Sequence, residues 1–584
     1  MNHSSCWGYF NIFALNFLNN HRNTAIMKKK HQLFFAAASL CLLSACSGGK
    51  KVQADYNIIP KPNSIVAEEG RSFLLTPSTR IIYPAGNETM RENGRLLADY
   101  IYQATGYRPE VVANDSSKPG KNIILELSDQ IAASEGYLLD VKREAIRINA
   151  PTEAGVFYGI QTLRKAIPAV AANAAVELTP VMIKDAPRFA YRGVHLDVGR
   201  HLFPVEFVKK YIDILALHNV NRFHWHLTED QGWRIEIKKY PQLTQVGSMR
   251  KETVIKKNSG KYDGKPYGGY YTQDEIREIV DYANSRFITV IPEIDLPGHM
   301  LGALAAYPQF GCTGGPYEVA TQWGVFDDVI CPGNEEAMVF LEDVLTEVME
   351  LFPSEYIHVG GDECPKTRWK KCPKCQARIK KENLAANKEH APEENLQSYV
   401  IRRMEKHLNQ HGRRMIGWDE VLEGGLAPNA TVMSWRGEQG GIAAAKLRHN
   451  VIMTPNTYMY FDYYQSKDVD KEPFGIGGFI DVAKVYSYEP LPADLTPEEQ
   501  KYIIGCQANM WTEYMPVSSH VEYMLLPRLA ALAEVQWTQP QNKSYDDFLQ
   551  RMPGLLRIYD RDGYNYARHI ESSLPQKAEA ENAE

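Results

Sequence analysis

Between residues 186 and 540 the chain repeats one plan: a short apolar or β-branched run, then an amphipathic helical stretch. Strand patterns fall at 191–198, 222–227, 288–294, 356–359, 414–417, 431–434, 450–453 and 503–509. Helical patterns intervene, clearest at 205–218, 273–286, 335–351, 396–411 and 440–448. Eight such units in succession predict an α/β fold, a (β/α)8 TIM barrel with enlarged loops. The interior of such a barrel is packed with side chains, and its chemistry sits at the C-terminal ends of the strands. Those ends are where function must be read.

They carry polar, acidic or aromatic residues throughout. The first ends in Asp197, Gly199, Arg200 and His201, and the second in His224, Trp225, His226, Glu229 and Asp230. The third ends in Glu293, Asp295, Pro297 and His299, and the fifth in Trp418, Asp419 and Glu420. Trp435 and Arg436 end the sixth, Tyr458, Tyr460, Phe461 and Asp462 the seventh, and Trp511, Thr512 and Glu513 the eighth. The fourth is the most telling: His358, Val359, Gly360, Gly361, Asp362 and Glu363 follow one another. Neighbours on a strand point to opposite faces, but a Gly-Gly turn just past its end lets two adjacent acids enter one cleft. Any one of these tips has a structural explanation as a helix cap, an ion pair or a core aromatic. All eight on one rim point to a site.

A metal centre is the first rival reading, because His224 and His226 lie on one strand face beside carboxylates. Trp418, Trp435 and Trp511 argue against it, since they take the room a hydrated ion needs. Residues 56–185 read as a separate small α/β domain with a mostly antiparallel sheet. Strands are expected at 79–83, 122–127, 136–141 and 145–149, with helices at 88–105 and 154–166. That part shows no catalytic constellation, and its expected role is to brace the barrel. A helical extension is expected at 541–570, and a polar tail without fixed structure at 571–584.

The ends of the chain carry a different message. Lys28, Lys29 and Lys30 precede an apolar run from Leu33 to Leu43, too short to span a bilayer comfortably. Leu43, Ser44, Ala45, Cys46 and Ser47 then resemble the lipobox of bacterial lipoproteins, in which the cysteine becomes the lipidated N-terminus. Residues 1–46 are thus upstream sequence and signal peptide, and 47–55 a tether. The expected location is the bacterial cell envelope, lipid-anchored at the outer membrane and facing the periplasm or the surface. With 65 basic and 71 acidic residues the formal charge is −6 and there is no basic stripe, which argues against nucleic acid. The aromatic content of 11 % suits a sugar cleft, because pyranose C–H faces stack on rings.

Of nine cysteines, six lie beyond Cys46. Cys312 and Cys331 flank one glycine-containing loop and are the best candidates for a disulfide in an exported protein. Cys364, Cys372 and Cys375 cluster, and Cys372 and Cys375 have the spacing of half a zinc site. No fourth ligand is evident in the neighbouring sequence, so a disulfide or free thiols are the expectation there.

The rim motifs resemble glycoside hydrolase family 20, the β-N-acetylhexosaminidases. The residues that carry the resemblance are His358 through Glu363, Trp418 to Glu420, Trp435 with Arg436, Tyr460 to Asp462, and Trp511 to Glu513. The resemblance covers most of residues 56–540, including a small α/β domain before the barrel. It implies exo-acting removal of terminal non-reducing GlcNAc or GalNAc, with no metal or organic cofactor. In that family the substrate's own 2-acetamido oxygen is the nucleophile. By resemblance Glu363 is the general acid and base, Asp362 accepts from the acetamido N–H, and Tyr460 donates to the acetamido oxygen. Trp418, Trp435 and Trp511 wall the acetamido methyl, while Arg200, Asp462 and Glu513 bind sugar hydroxyls. Asp230, Asp295 and His299 stand behind Glu363 and tune it. Two alternatives remain open at this stage: release of a disaccharide from a glycan end, and a silent glycan-binding lipoprotein.

Overall fold

The computed structural model describes residues 51–114, 120–170, 174–386, 388 and 390–575. The leader, with Cys46 and most of the tether, lies outside them, as does the tail from 576. Residues 52–575 belong to a single compact unit.

Eight parallel strands close on themselves: β1 (Tyr191–Asp197), β2 (Arg222–His226), β3 (Thr289–Leu296), β4 (Tyr356–Gly360), β5 (Arg414–Trp418), β6 (Thr431–Ser434), β7 (Val451–Met453) and β8 (Ile503–Ala508). Closure is made where Tyr191 of β1 registers with Gly505 of β8. Every residue of β1, β6 and β7 is buried, the burial expected of strands with a packed interior on one side and helices on the other. The outer helices form where the period predicted them. Gln273–Asn284, for example, starts with a capping box between Thr272 and Glu275 and buries Ile276, Ile279, Val280 and Ala283 along one stripe.

The N-terminal part forms a seven-stranded sheet with two helices, Glu88–Thr105 and Glu153–Ala166. Its pairings divide evenly, so the expected antiparallel character holds for one half only. The strands Ser64–Ala67, Val181–Asp185, Tyr137–Val141 and Ala145–Ala150 pair antiparallel in that order. Asn122–Leu127, Arg80–Tyr83 and Glu110–Ala113 then continue in parallel from Ala145–Ala150.

The helix Glu153–Ala166 is buried on every side from Gly155 onward because it lies between this sheet and the barrel. Phe157 meets Phe287 at 5.3 Å between ring centres, and Tyr158 meets Trp537 at 5.0 Å. Arg192 of β1 reaches Glu135 at 2.7 Å, and Trp537 Nε1 donates to Asp185 at 2.8 Å. These contacts brace the bottom and flank of the barrel and leave the rim free. The helix Tyr545–Asp562 covers the same flank, with Asp562 accepting from Arg164 at 2.8 Å. A short 3-10 turn, Arg568–Ser573, follows it and runs into the stretch expected as tail. Among the described residues no helix is long and apolar enough to cross a membrane.

Candidate active site

The end of β4 sets the geometry. Gly360 and Gly361 have φ of +66° and +98°, left-handed backbone that glycine adopts without steric penalty. Gly360 also has no room for a side chain, since a Cβ there would lie 1.7 Å from Asp295 Oδ1. Asp295, at the end of β3, accepts from the Gly361 N–H at 3.3 Å and thereby braces the turn from beneath. Glu363 follows with φ of +42°, itself left-handed. Left-handed backbone at three of the four residues from Gly360 to Glu363 turns the chain, and Asp362 and Glu363 both line one cavity of about 230 Å3.

The two acids differ in environment. The Glu363 side chain is 42 % exposed and that of Asp362 only 13 %. Asp362 Oδ1 is buried with no hydrogen-bond partner among the described residues. Burial, reinforced by the charges of Glu293 and Glu363, pushes the Asp362 carboxyl up to about 7. Glu363 moves the other way: the hydrogen bond and charge of His299 hold it below the usual carboxylate range.

His299 is the hub between them, with Nε2 3.6 Å from Glu363 Oε2 and 3.9 Å from Asp362 Oδ2. Its other nitrogen, Nδ1, lies 3.1 Å from Asp230 Oδ2 and 3.2 Å from Glu229 Oε1. Burial opposes a charge on this ring, yet Glu229, Asp230 and Glu363 outweigh it and raise the imidazole well above its ordinary value. Asp230 is fixed in turn by the backbone N–H of Leu301 at 3.0 Å.

Across the cavity stand Trp418, Trp435, Tyr460 and Trp511. The Trp435 and Tyr460 rings lie 15° from parallel with centres 6.0 Å apart, and Trp511 sits 5.8 Å from Trp418. Burial pushes the Tyr460 hydroxyl well above its ordinary value, so it keeps its proton. Arg200 approaches from β1, clamped to Glu229 at 2.7 Å and Asp197 at 3.4 Å, with its guanidinium 5.0 Å from the centre of the Trp511 ring. Asp462 and Glu513 complete that side. Asp462 Oδ1 is buried with no partner among the described residues, and burial raises both carboxyls.

Two family models match the chain: "Glycosyl hydrolase family 20, catalytic domain" over residues 189–540 and "Glycosyl hydrolase family 20, domain 2" over 55–186. The chain belongs to glycosyl hydrolase family 20. A β-hexosaminidase of Porphyromonas gingivalis is 45 % identical over 561 residues, covering 94 % of this chain and 69 % of that protein. The solved structure of an exo-β-N-acetylglucosaminidase of Vibrio harveyi with N-acetylglucosamine superposes with a TM-score of 0.76 at 32 % identity. The match covers 88 % of this chain and 79 % of that one. A mutant β-hexosaminidase of Streptomyces plicatus in complex with its product GlcNAc gives 0.74 at 29 % identity, over 88 % and 96 % of the two chains.

This family 20 chain is therefore a glycoside hydrolase, and its cavity brings together the rim residues singled out from sequence. Asp230 and Asp295 stand behind the cavity and contact it through His299 and the Gly360–Gly361 turn. Three acids at the strand tips that were given no role from sequence prove to be structural parts of the site. Glu229 holds both Arg200 and His299. Glu420 accepts from Trp435 Nε1 at 2.9 Å, and Asp419 accepts from the Trp435 backbone N–H at 3.1 Å. The signal in the sequence was adjacency alone: Glu229 precedes Asp230, and Asp419 and Glu420 follow Trp418.

His224 and His226 do not reach the cavity. They turn into the barrel interior, where Glu293 meets His226 Nδ1 at 2.6 Å, His224 Nε2 at 2.9 Å and His358 Nδ1 at 3.0 Å. Glu293 also accepts from Trp418 Nε1 at 2.9 Å, so this buried polar cluster orients one wall of the cavity from below.

The cysteines depart from expectation. Cys312 and Cys331 form no disulfide, and all six described cysteines carry free thiols. Cys312 and Cys331 instead converge with Cys372 and Cys375 into one cluster.

Proposed function

We propose that this chain is an exo-acting β-N-acetylhexosaminidase that cleaves terminal GlcNAc or GalNAc by substrate-assisted catalysis with retention. The observation that carries the mechanism is the buried, unpartnered Oδ1 of Asp362, placed beside a more exposed Glu363 and opposite an aromatic wall. An acceptor buried without a partner is costly, and the N–H of a 2-acetamido group supplies the missing donor. The acetamido oxygen then attacks the anomeric carbon while Glu363 passes its proton to the departing glycosidic oxygen. The C1–oxygen bond breaks and an oxazolinium ring forms. Asp362 stabilises the positive charge spreading onto nitrogen, and Tyr460 orients the carbonyl by donating to its oxygen. The second step reverses the first: Glu363 takes a proton from water, water adds to C1, and the ring opens.

Glu363 must hold a proton at the start, although His299 keeps its pKa low in the free protein. A sugar seated over the pair would cover the exposed carboxyl and raise its pKa, while the ring of His299 keeps a proton in reach. Arg200, Asp462 and Glu513 would take the ring hydroxyls, and the tryptophans would exclude water from the acetamido methyl. The similarity to an exo-β-N-acetylglucosaminidase and to β-hexosaminidases favours release of a monosaccharide over a disaccharide. Assay of the p-nitrophenyl β-glycosides of GlcNAc, GalNAc and glucose tests this reading. Turnover of the acetamido sugars alone is expected, and comparable turnover of the glucoside would overturn it. The lipobox-like Leu43 to Ser47 supports the further proposal that Cys46 anchors the enzyme in the cell envelope.

A further inference from the structure

Away from the active site, four cysteines from two separate segments meet in one place. Cys312 and Cys331 come from the loop after β3, and Cys372 and Cys375 from the segment after the catalytic pair. All four sulfurs lie within 4.8 Å of one another. The Cys331–Cys375 separation is 3.5 Å, and Cys312–Cys375 and Cys331–Cys372 are each 3.7 Å. Four thiolates about 2.3 Å from one zinc ion sit about 3.8 Å apart along the edges of a tetrahedron. Three of the six sulfur separations thus already match the edges of a zinc cage, and the other three are no longer than 4.8 Å.

We propose that Cys312, Cys331, Cys372 and Cys375 bind one structural zinc ion as a tetrathiolate. Each thiol gives up its proton to solvent on binding, leaving a site of net charge −2. The surroundings suit that charge. Cys372 is the N-cap of the helix Pro373–Lys381 and Cys375 lies in its first turn, where backbone N–H groups and the helix dipole favour thiolates. Gly333 allows the two segments to touch, because a Cβ there would lie 2.1 Å from the Lys374 carbonyl carbon and 2.3 Å from the Cys375 nitrogen. Cys331, Cys372 and Cys375 are buried, and Cys312 is half-buried, so water has little access. All four ligands come from protein, which makes the site closed and structural rather than catalytic.

The position explains what such an ion would do. The loop is pinched at its base by a bridge between Gly311 and Ile330, and Ile330 N–H donates to Pro297 O at 3.2 Å, two residues before His299. Further along, Ala320 N–H donates to the carbonyl of Asp230, and Trp323 packs against His201 at the rim. The ion would lock this loop to the segment that leaves Glu363, immediately behind the catalytic turn.

Elemental analysis of the full-length protein, purified without chelator, tests the proposal directly. One zinc per chain is expected, and Cys331→Ser and Cys372→Ser should each reduce it to none. Should those variants not fold, two measurements on the unaltered protein decide. Cobalt(II) exchanged into it should give the thiolate charge-transfer and d–d bands of a tetrahedral four-sulfur site. Alkylation after denaturation in chelator, without reductant, should label all four cysteines by peptide mass spectrometry. Absence of bound metal, stoichiometric iron in its place, or a Cys312–Cys331 or Cys372–Cys375 disulfide would each overturn the assignment.

Discussion

Replacing Gly360 by alanine probes the turn that aims both acids. Two costs follow from the structure. An alanine at φ of +66° pays about 1–2 kcal/mol for left-handed backbone. The new methyl would also meet Asp295 Oδ1 at 1.7 Å, so Asp295 must withdraw and give up its bond to the Gly361 N–H. Leaving that buried donor unpaired adds about 1–3 kcal/mol. Displacing the turn by about 1 Å would carry Glu363 out of line and cost about 100-fold in kcat. Gly412→Ala is the matched control. Its φ is +71°, but no atom lies within 4 Å of the position a Cβ would take. It should show the backbone cost alone, about 1–2 kcal/mol, with kcat unchanged. Urea denaturation and steady-state kinetics on an aryl N-acetylglucosaminide read both effects. If the Gly360 variant matched the Gly412 variant in stability and kept full kcat, the turn would not be what positions the pair.

Glu363→Gln should lose about 10²–10⁴-fold on natural glycans with poor leaving groups but much less on activated aryl glycosides, and equal losses on both would remove its role as acid. Asp362→Asn should be inactive yet more stable than the parent above pH 7. Burial raises the folded carboxyl from 3.8 to about 7, so the folded state binds more protons than the unfolded one across that range, and stability falls as pH rises. That span of about three pH units corresponds to about 4 kcal/mol, and thermal midpoints at pH 4 and pH 8 should coincide at the first and diverge at the second. Cys46→Ser should move the protein from the membrane to the soluble fraction with unchanged specific activity, and a wild-type protein wholly soluble with an uncut N-terminus would refute the anchor.

The barrel was legible because each strand is an apolar run that ends in a polar tip, and the tips were informative because the fold places its chemistry there. Strand bounds agree to within a residue or two, and β3 runs on to Leu296 so that Asp295 lies under the Gly360 turn. What sequence left unread depends on contacts between distant segments. Glu229, Asp419 and Glu420 matter through Arg200, His299 and Trp435, partners that neighbouring positions do not reveal. Val181–Asp185 was given no strand from sequence, yet it pairs inside the N-terminal sheet, and Asp185 ties that sheet to Trp537. Glu110–Ala113 is a partly exposed edge strand with no alternation to mark it. Half of the cysteine cluster lies 41 residues or more along the chain from its partners, which is why only the Cys372–Cys375 spacing suggested a site.

The central claim, that the substrate's acetamido oxygen is the nucleophile, is tested most directly by weakening that oxygen alone. Aryl β-glycosides of N-acetylglucosamine carrying one, two and three fluorines on the acetyl methyl keep the leaving group constant while withdrawing electrons from the carbonyl. If the acetamido oxygen attacks the anomeric carbon, kcat/KM should fall steeply at every added fluorine. A rate nearly indifferent to fluorination, with a glycosyl ester trapped on Asp362, would show instead a two-carboxylate retaining enzyme and contradict the account.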